Sequence, residues 1–91
     1  MTKKKRVLLC IERSPEKLQH MKETLETLGY SVLTAWSGGQ GLDVFLKHAR
    51  EIEAVLVARE LPDAGGDEIA EEIRRLQPHV PVVLAGNGLG D

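Results

Sequence analysis

Apolar positions along the chain fall into two kinds of pattern that follow one another in turn. Four apolar or β-rich runs predict strands at residues 6–11, 30–36, 54–58 and 80–85. The runs are mostly continuous, as is typical of parallel strands that are covered on both faces. Three segments between them carry apolar residues every three or four positions, which predicts helices. The order β-α-β-α-β-α-β therefore predicts an α/β fold with a parallel sheet and helices on both faces.

The predicted helices have recognisable boundaries. Ser14 is placed to cap the first helix, Pro15 suits its first position, and Gly29 is a typical stop. Ser37 can cap the second helix, and Pro78 ends the third. The predicted buried faces are Leu18, Met21, Leu25 and Leu28 in the first helix, Leu42, Phe45, Leu46 and Ala49 in the second, and Ile69, Ala70, Ile73 and Leu76 in the third.

Composition narrows the class of protein. Ninety-one residues, 42% of them hydrophobic, predict one domain that spans residues 1–91 with a mainly aliphatic core. A net charge of −2 disfavours binding to nucleic acid, and no apolar run is long enough to span a membrane. Cys10 is the only cysteine and lies inside the first strand, so we expect a buried thiol in a protein of the reducing cytoplasm.

Short motifs punctuate these elements at characteristic places. "SPE" follows the first strand, "LGY" ends the first helix, and "LPDAGG" follows the third strand. In this order and at these spacings the chain resembles the receiver domain of bacterial response regulators. The resemblance implies a flavodoxin-like, doubly wound sheet with strand order 2-1-3-4, from which the fifth strand and its helix are missing. It also implies that the chain is the N-terminal part of a longer regulator.

The resemblance further implies a pocket at the carboxyl ends of the strands. A receiver has an acidic pair after strand one, an aspartate that accepts a phosphoryl group at the end of strand three, a hydroxyl at the end of strand four and a lysine after strand five. Here the acidic pair falls on Glu12 and Arg13, the acceptor on Ala58 and the hydroxyl on Gly86. A methyl group cannot be phosphorylated, and a cation at Arg13 repels Mg²⁺. The sequence therefore predicts a degenerate receiver pocket with no catalytic residue, metal site or cofactor.

Several readings of individual residues stay open. A register shifted by two would place Glu60 at the acceptor position, although Ala58 completes the apolar run while Arg59 and Glu60 are polar. Arg59 and Glu60 are also candidates for a partner-binding edge. Arg13 either replaces the charge of the metal in the pocket or forms a surface pair. The acids of the third loop and helix, Asp63, Asp67 and Glu68, suit helix N-termini better than a metal site.

The leading functional hypothesis is a non-catalytic, receiver-like signalling module that acts through protein contacts, with a histidine kinase or an output domain as its partner. One alternative is a phosphorelay domain that accepts phosphate on a substitute carboxylate, Glu60 or Asp63. Another is a structural dimerisation domain. The unpaired edge of the fourth strand, at Val82, Val83 and Leu84, predicts pairing with a second copy.

Overall fold

The computed structural model describes residues 6–85, which form one parallel sheet between two layers of helices. The strands are β1 (Val7–Ile11), β2 (Ser31–Ala35), β3 (Ile52–Ala58) and β4 (Val82–Ala85), and the helices are α1 (Pro15–Thr27), α2 (Gly38–His48) and α3 (Gly66–Leu76). The strands lie in the order β2-β1-β3-β4, and every neighbouring pair is parallel. The predicted fold class and strand order are therefore confirmed.

The helices cover opposite faces of the sheet. Leu9, Ile11 and Val57 belong to the main core cluster, in which α2 and α3 pack against the sheet and against each other. Side chains alternate between the faces of a strand, so Cys10 points to the opposite face. There α1 contacts β1 and β2, with Leu18 as its buried residue.

The predicted helix boundaries are confirmed. The Ser14 hydroxyl accepts the Lys17 backbone N–H at 3.3 Å, and the Ser37 hydroxyl accepts the Gln40 backbone N–H at 3.1 Å. Each bond satisfies one of the N–H groups that a helix leaves free at its start. Gly29 follows the end of α1 with φ of 101°, a left-handed conformation that glycine adopts without steric cost.

One glycine of α2 is explained by packing. A Cβ added at Gly41 would collide with the side chain of Ile11 in β1. The missing side chain allows α2 to approach the central strand closely. Glycine has a lower helical propensity than alanine, but at this position it permits tight contact between the helix and the sheet.

Three predicted buried leucines are exposed. Leu28 is 68%, Leu46 60% and Leu76 40% exposed. Leu46 follows Phe45, which occupies the core-facing position, and one residue further round a helix turns the side chain by roughly 100°. Leu28 and Leu76 lie at helix ends, where little of the sheet is left to cover them.

Strand bounds also differ slightly from the predicted ranges. β3 begins at Ile52, two residues earlier than predicted, whereas the other three strands are shorter than their apolar runs. Among residues 6–85, no helix combines the length and the apolar character that a membrane span requires.

Candidate functional site

The candidate site lies where the two central strands end. Ile11, the last residue of β1, is paired with Val57 of β3, so the residues that follow these strands meet at one edge of the sheet. Ligands of open α/β sheets bind beyond the carboxyl ends of the strands, near the point where strand order reverses. Here that point lies between β1 and β3.

Glu12 is the acid that remains from the predicted pair. It is 9% exposed, and its backbone N–H donates to the Ala35 carbonyl at 2.9 Å. One carboxylate oxygen accepts the Ser14 backbone N–H at 2.8 Å. Glu12 therefore ties the end of β1 to the start of α1, and half of its carboxylate is already engaged.

Arg13 points towards the loop after β3. A guanidinium nitrogen lies 3.8 Å from the Glu60 carboxylate, and the two side chains are 58% and 67% exposed. An exposed pair at this distance contributes less than about 1 kcal/mol to stability. Of the two readings of Arg13, the geometry matches the surface pair rather than a cation inside the pocket.

Ala58 is the last residue of β3 and is 6% exposed. It pairs with Ala85 of β4, and its methyl group belongs to the main core cluster. A Cβ added at Gly66 would overlap the Ala58 carbonyl oxygen, so the first residue of α3 has room only for glycine. The end of β3 and the start of α3 are thus packed backbone against backbone.

The intervening loop is held by its own backbone and by the core. The Gly66 N–H donates to the Arg59 carbonyl at 2.7 Å, and Glu60 forms an antiparallel bridge with Gly65. Leu61 is buried at 8% exposure, while the Arg59 and Glu60 residues are exposed. The loop therefore displays these two charged residues from a fixed backbone.

Asp63 makes a contact that the sequence did not predict. Its two carboxylate oxygens accept the backbone N–H groups of Gly38 at 2.8 Å and Gly39 at 2.9 Å. These two bonds to the ionised form lower the pKa of Asp63, with the Gly39 bond as the larger cause. The acid thus serves a helix N-terminus, as its residue type suggested, but that helix is α2.

One signal could have indicated this partner. The first turn of α2 contains no acid, although an acid there would interact favourably with the helix dipole. In α3, by contrast, Glu68 of the first turn accepts the Gly65 backbone N–H at 3.2 Å. A helix that opens with two glycines and lacks an acid of its own can take its carboxylate from another loop.

The described residues do not fit the Mg²⁺ site that the resemblance implies. Glu12 is one carboxylate, but Arg13 is a cation and Ala58 offers only a methyl group. Residues 6–85 contain no group of three or more His, Cys, Asp or Glu side chains arranged to hold a metal ion. Gly86, the predicted hydroxyl position, lies outside the described residues.

A parallel sheet in the order β2-β1-β3-β4, with helices on both faces and loops gathered at its carboxyl edge, defines a doubly wound α/β protein of the flavodoxin-like class. Within that class, the family model of the response regulator receiver domain matches residues 8–87. The chain belongs to this family, whose members are receiver modules of two-component signalling.

Individual relatives agree with the family. The transcriptional regulatory protein GlrR of Escherichia coli K12 is 31% identical over 84 residues, which are 92% of this chain and 18% of that protein. A receiver domain protein from Clostridium thermocellum is 32% identical with a TM-score of 0.87, over 91% of this chain and 67% of that one. The regulator TrrA of Thermotoga maritima, solved in complex with histidine kinase ThkA, is 28% identical with a TM-score of 0.80. The match covers 87% of this chain and 66% of that one.

Proposed function

We propose that this chain is a pseudo-receiver: a non-catalytic module of two-component signalling that acts through protein contacts, without phosphorylation of an aspartate. The observation that carries the proposal is Ala58 at the end of β3, where the family resemblance places the acceptor carboxylate. A methyl group offers no oxygen to a phosphoryl group. The strand ends at Ala58, which supports the register on which this assignment depends.

The charges around Ala58 support the same proposal. An arginine stands at one of the two acid positions after β1, so two of the three carboxylates expected around the metal are absent. Divalent cations bind where several carboxylate oxygens converge, and a guanidinium nearby opposes them. Glu12, Arg13 and Ala58, together with Gly86, form the degenerate pocket of this proposal.

Two substitute carboxylates define the alternative of a phosphorelay domain. Both Asp63 oxygens accept backbone N–H bonds from α2, and Glu60 is paired with Arg13. Phosphorylation of Asp63 would break both helix contacts. Phosphorylation of Glu60 would take place on an exposed loop, and residues 6–85 contain no group of three or more acids there that could hold Mg²⁺. These contacts favour the non-phosphorylated module.

The test is to incubate the chain with Mg²⁺ and a small-molecule phosphoryl donor, followed by intact-mass spectrometry. A receiver domain that retains its acceptor aspartate, treated in parallel, provides the positive control. We expect a mass gain in the control alone. Amide NMR spectra with beryllofluoride should likewise leave the Glu12 and Ala58 resonances in place. An acyl phosphate mapped to Glu60 or Asp63 would instead establish the phosphorelay function.

The remaining parts of the proposal concern the longer protein to which the chain belongs and its partners. GlrR is much longer than the matched region, which supports a place for this chain in a longer regulator. We place the chain in the N-terminal part of that regulator and the regulator in the cytoplasm. The kinase complex of TrrA supports a histidine kinase as one class of partner, with an output domain as the other. Arg59 and Glu60 are the residues that we assign to the contact edge.

Self-association through β4 is a further part of the proposal. Val83 on this strand is 53% exposed, and β4 has one strand neighbour, β3, within residues 6–85. A free edge of this kind can pair with another chain. Analytical ultracentrifugation of the wild type and of Val83→Lys checks it: a dimer that the lysine dissociates supports the contact, whereas a monomer at high concentration contradicts it.

A further inference from the structure

A groove lies between α1 and the end of β2, beside the degenerate pocket. Its volume is about 350 Å³, which is near the lower end for binding sites and suits one large side chain. Pro15, Leu18 and Trp36 supply its apolar surface. Trp36 is 62% exposed, an unusual position for the largest apolar side chain of so small a domain.

The charges at the groove have one sign. Arg13 and Lys22 are the charged residues that line it. Apart from these and the three apolar residues, the lining consists of two neutral polar side chains. No acid of the described region is part of the lining. Within residues 6–85, Arg13 pairs with the exposed Glu60 at 3.8 Å, and Lys22 pairs with the half-exposed Glu26 at 3.1 Å. Pairs of this kind are weak, so both cations are available to an incoming carboxylate.

The backbone around the groove is already ordered. The Trp36 N–H donates to the Gln40 side chain at 2.7 Å, and Ser14 caps the helix that carries Leu18 and Lys22. A binding surface that is fixed before the ligand arrives loses less conformational entropy on binding. An exposed aromatic side chain that shares a groove with two cations on a fixed backbone is typical of a recognition surface.

We propose that this groove docks an acidic peptide segment of a partner protein, in which one apolar or aromatic side chain packs against Trp36 and flanking carboxylates pair with Arg13 and Lys22. The Glu60 side chain occupies Arg13 in the free protein and is displaced on binding. The inference deepens the proposed function, on which it rests for its biological role.

Binding in the groove can be followed by tryptophan fluorescence, because Trp36 is the only tryptophan of the chain. The probe is a short peptide with one central Phe between Glu residues, free of Trp and Tyr, and its matched partner carries Gln at every Glu position. We expect the acidic peptide to change Trp36 fluorescence saturably and to bind at least about tenfold more tightly than the Gln peptide, with affinity that falls as salt rises.

Three variants locate the binding. Lys22→Glu should weaken the acidic peptide about tenfold, and Lys17→Glu, the same charge change on an exposed part of α1 outside the groove, by less than about twofold. Glu60→Gln removes the internal competitor for Arg13 and should tighten binding by up to about fivefold.

Equal losses in Lys22→Glu and Lys17→Glu would overturn the proposal, because they would indicate a general charge effect instead of a site. Equal affinity for both peptides, or no saturable change with either, would overturn it as well. No phosphoryl donor is present in these titrations. Their failure therefore leaves the proposed function intact, and a phosphorylated chain that still binds the peptide would reject only the proposed function.

Discussion

The Asp63 carboxylate joins the loop after β3 to the first turn of α2 by accepting the Gly38 backbone N–H at 2.8 Å. The residues are 25 positions apart in the chain, and Gly39 donates to the second oxygen of the same carboxylate. The loop next to the degenerate pocket is thus fastened to a helix that packs on β1 and β2. The ionised Asp63 side chain therefore adds a tertiary contact to the backbone bonds and the buried Leu61 that already hold this loop.

Replacement of Asp63 with Asn should make stability less dependent on acid pH. The two bonds lower the pKa of Asp63 in the folded state below its ordinary value of 3.8. A carboxyl group whose pKa is lower in the folded state stabilises the fold at pH values above its ordinary pKa. That contribution to stability is lost as the pH falls through the pKa of the folded state. Urea unfolding of both proteins between about pH 6 and pH 3 should show a stability difference that shrinks towards acid.

The same change at Asp67, an exposed acid in the first turn of α3, is the control for the loss of one negative charge. The contact with α2 predicts a response that is specific to Asp63. If the two variants lose stability equally at every pH, the contact does not contribute as described.

Two glycines of α2 should respond in opposite directions to alanine. Gly41→Ala places a methyl group against Ile11 and should destabilise the fold by roughly 1–3 kcal/mol, as overpacking of a tight core does. Gly39→Ala adds an exposed methyl 3.4 Å from the Asp63 carboxylate and should stabilise by roughly 0.5–1 kcal/mol through helical propensity. Thermal or urea unfolding measures both, and stabilisation by Gly41→Ala would show that β1 and α2 pack less closely.

Restoring the acceptor alone should not restore a metal site. Ala58→Asp adds a carboxylate beside Glu12, but the Arg13 cation remains nearby. We expect the double variant Arg13→Asp/Ala58→Asp to bind Mg²⁺ at least about tenfold more tightly than the single one, because it replaces repulsion with a ligand. Amide NMR titration with Mg²⁺ measures both affinities.

The matched control is Arg59→Asp/Ala58→Asp, which makes the same change in net charge one residue beyond the strand. It should bind Mg²⁺ more weakly than the double variant at positions 13 and 58. Equal affinities would mean that overall charge, and not the position of Arg13, governs metal binding.

Cys10 should be protected from thiol reagents until the whole domain unfolds. It is fully buried in the central strand, and burial raises the pKa of its thiol to about 11. The reaction with a thiol-specific reagent should therefore be at least about a thousandfold slower in native buffer than in denaturant. Fast reaction in native buffer would contradict the packing of this strand beneath α1.

A variant that moves the thiol to the surface provides the comparison. Cys10→Ala with Thr24→Cys places it on an exposed position of α1. This thiol should react at nearly the same rate with and without denaturant, which separates protection by the fold from the chemistry of the reagent.

Most of the fold was predictable because it is encoded locally. The apolar runs located all four strands, and Ser14, Gly29 and Ser37 marked helix ends through bonds and dihedral angles that involve near neighbours. The strand order came from the family resemblance instead. Periodicity identifies which side of a helix is apolar, but it does not say how far the sheet extends beneath it, so the exposure of Leu28 and Leu76 at helix ends was missed.

The site was predictable only in part, for a related reason. Sequence position placed Glu12 and Ala58 at the same edge, because parallel strands end together. The partner of Asp63 could not be read in the same way, since a tertiary contact across 25 positions leaves no local spacing pattern. The direction of the Arg13 side chain is likewise set by a distant residue, Glu60.

The strand order also bears on how the domain is made. β1 and β3 form the interior of the sheet, whereas β4, the last described strand to be synthesised, is added at one side. During translation the three earlier strands can pair, and α2 can close over them, before β4 leaves the ribosome. Each newly made strand therefore meets a neighbour that has already been synthesised: β1 for both β2 and β3, and β3 for β4.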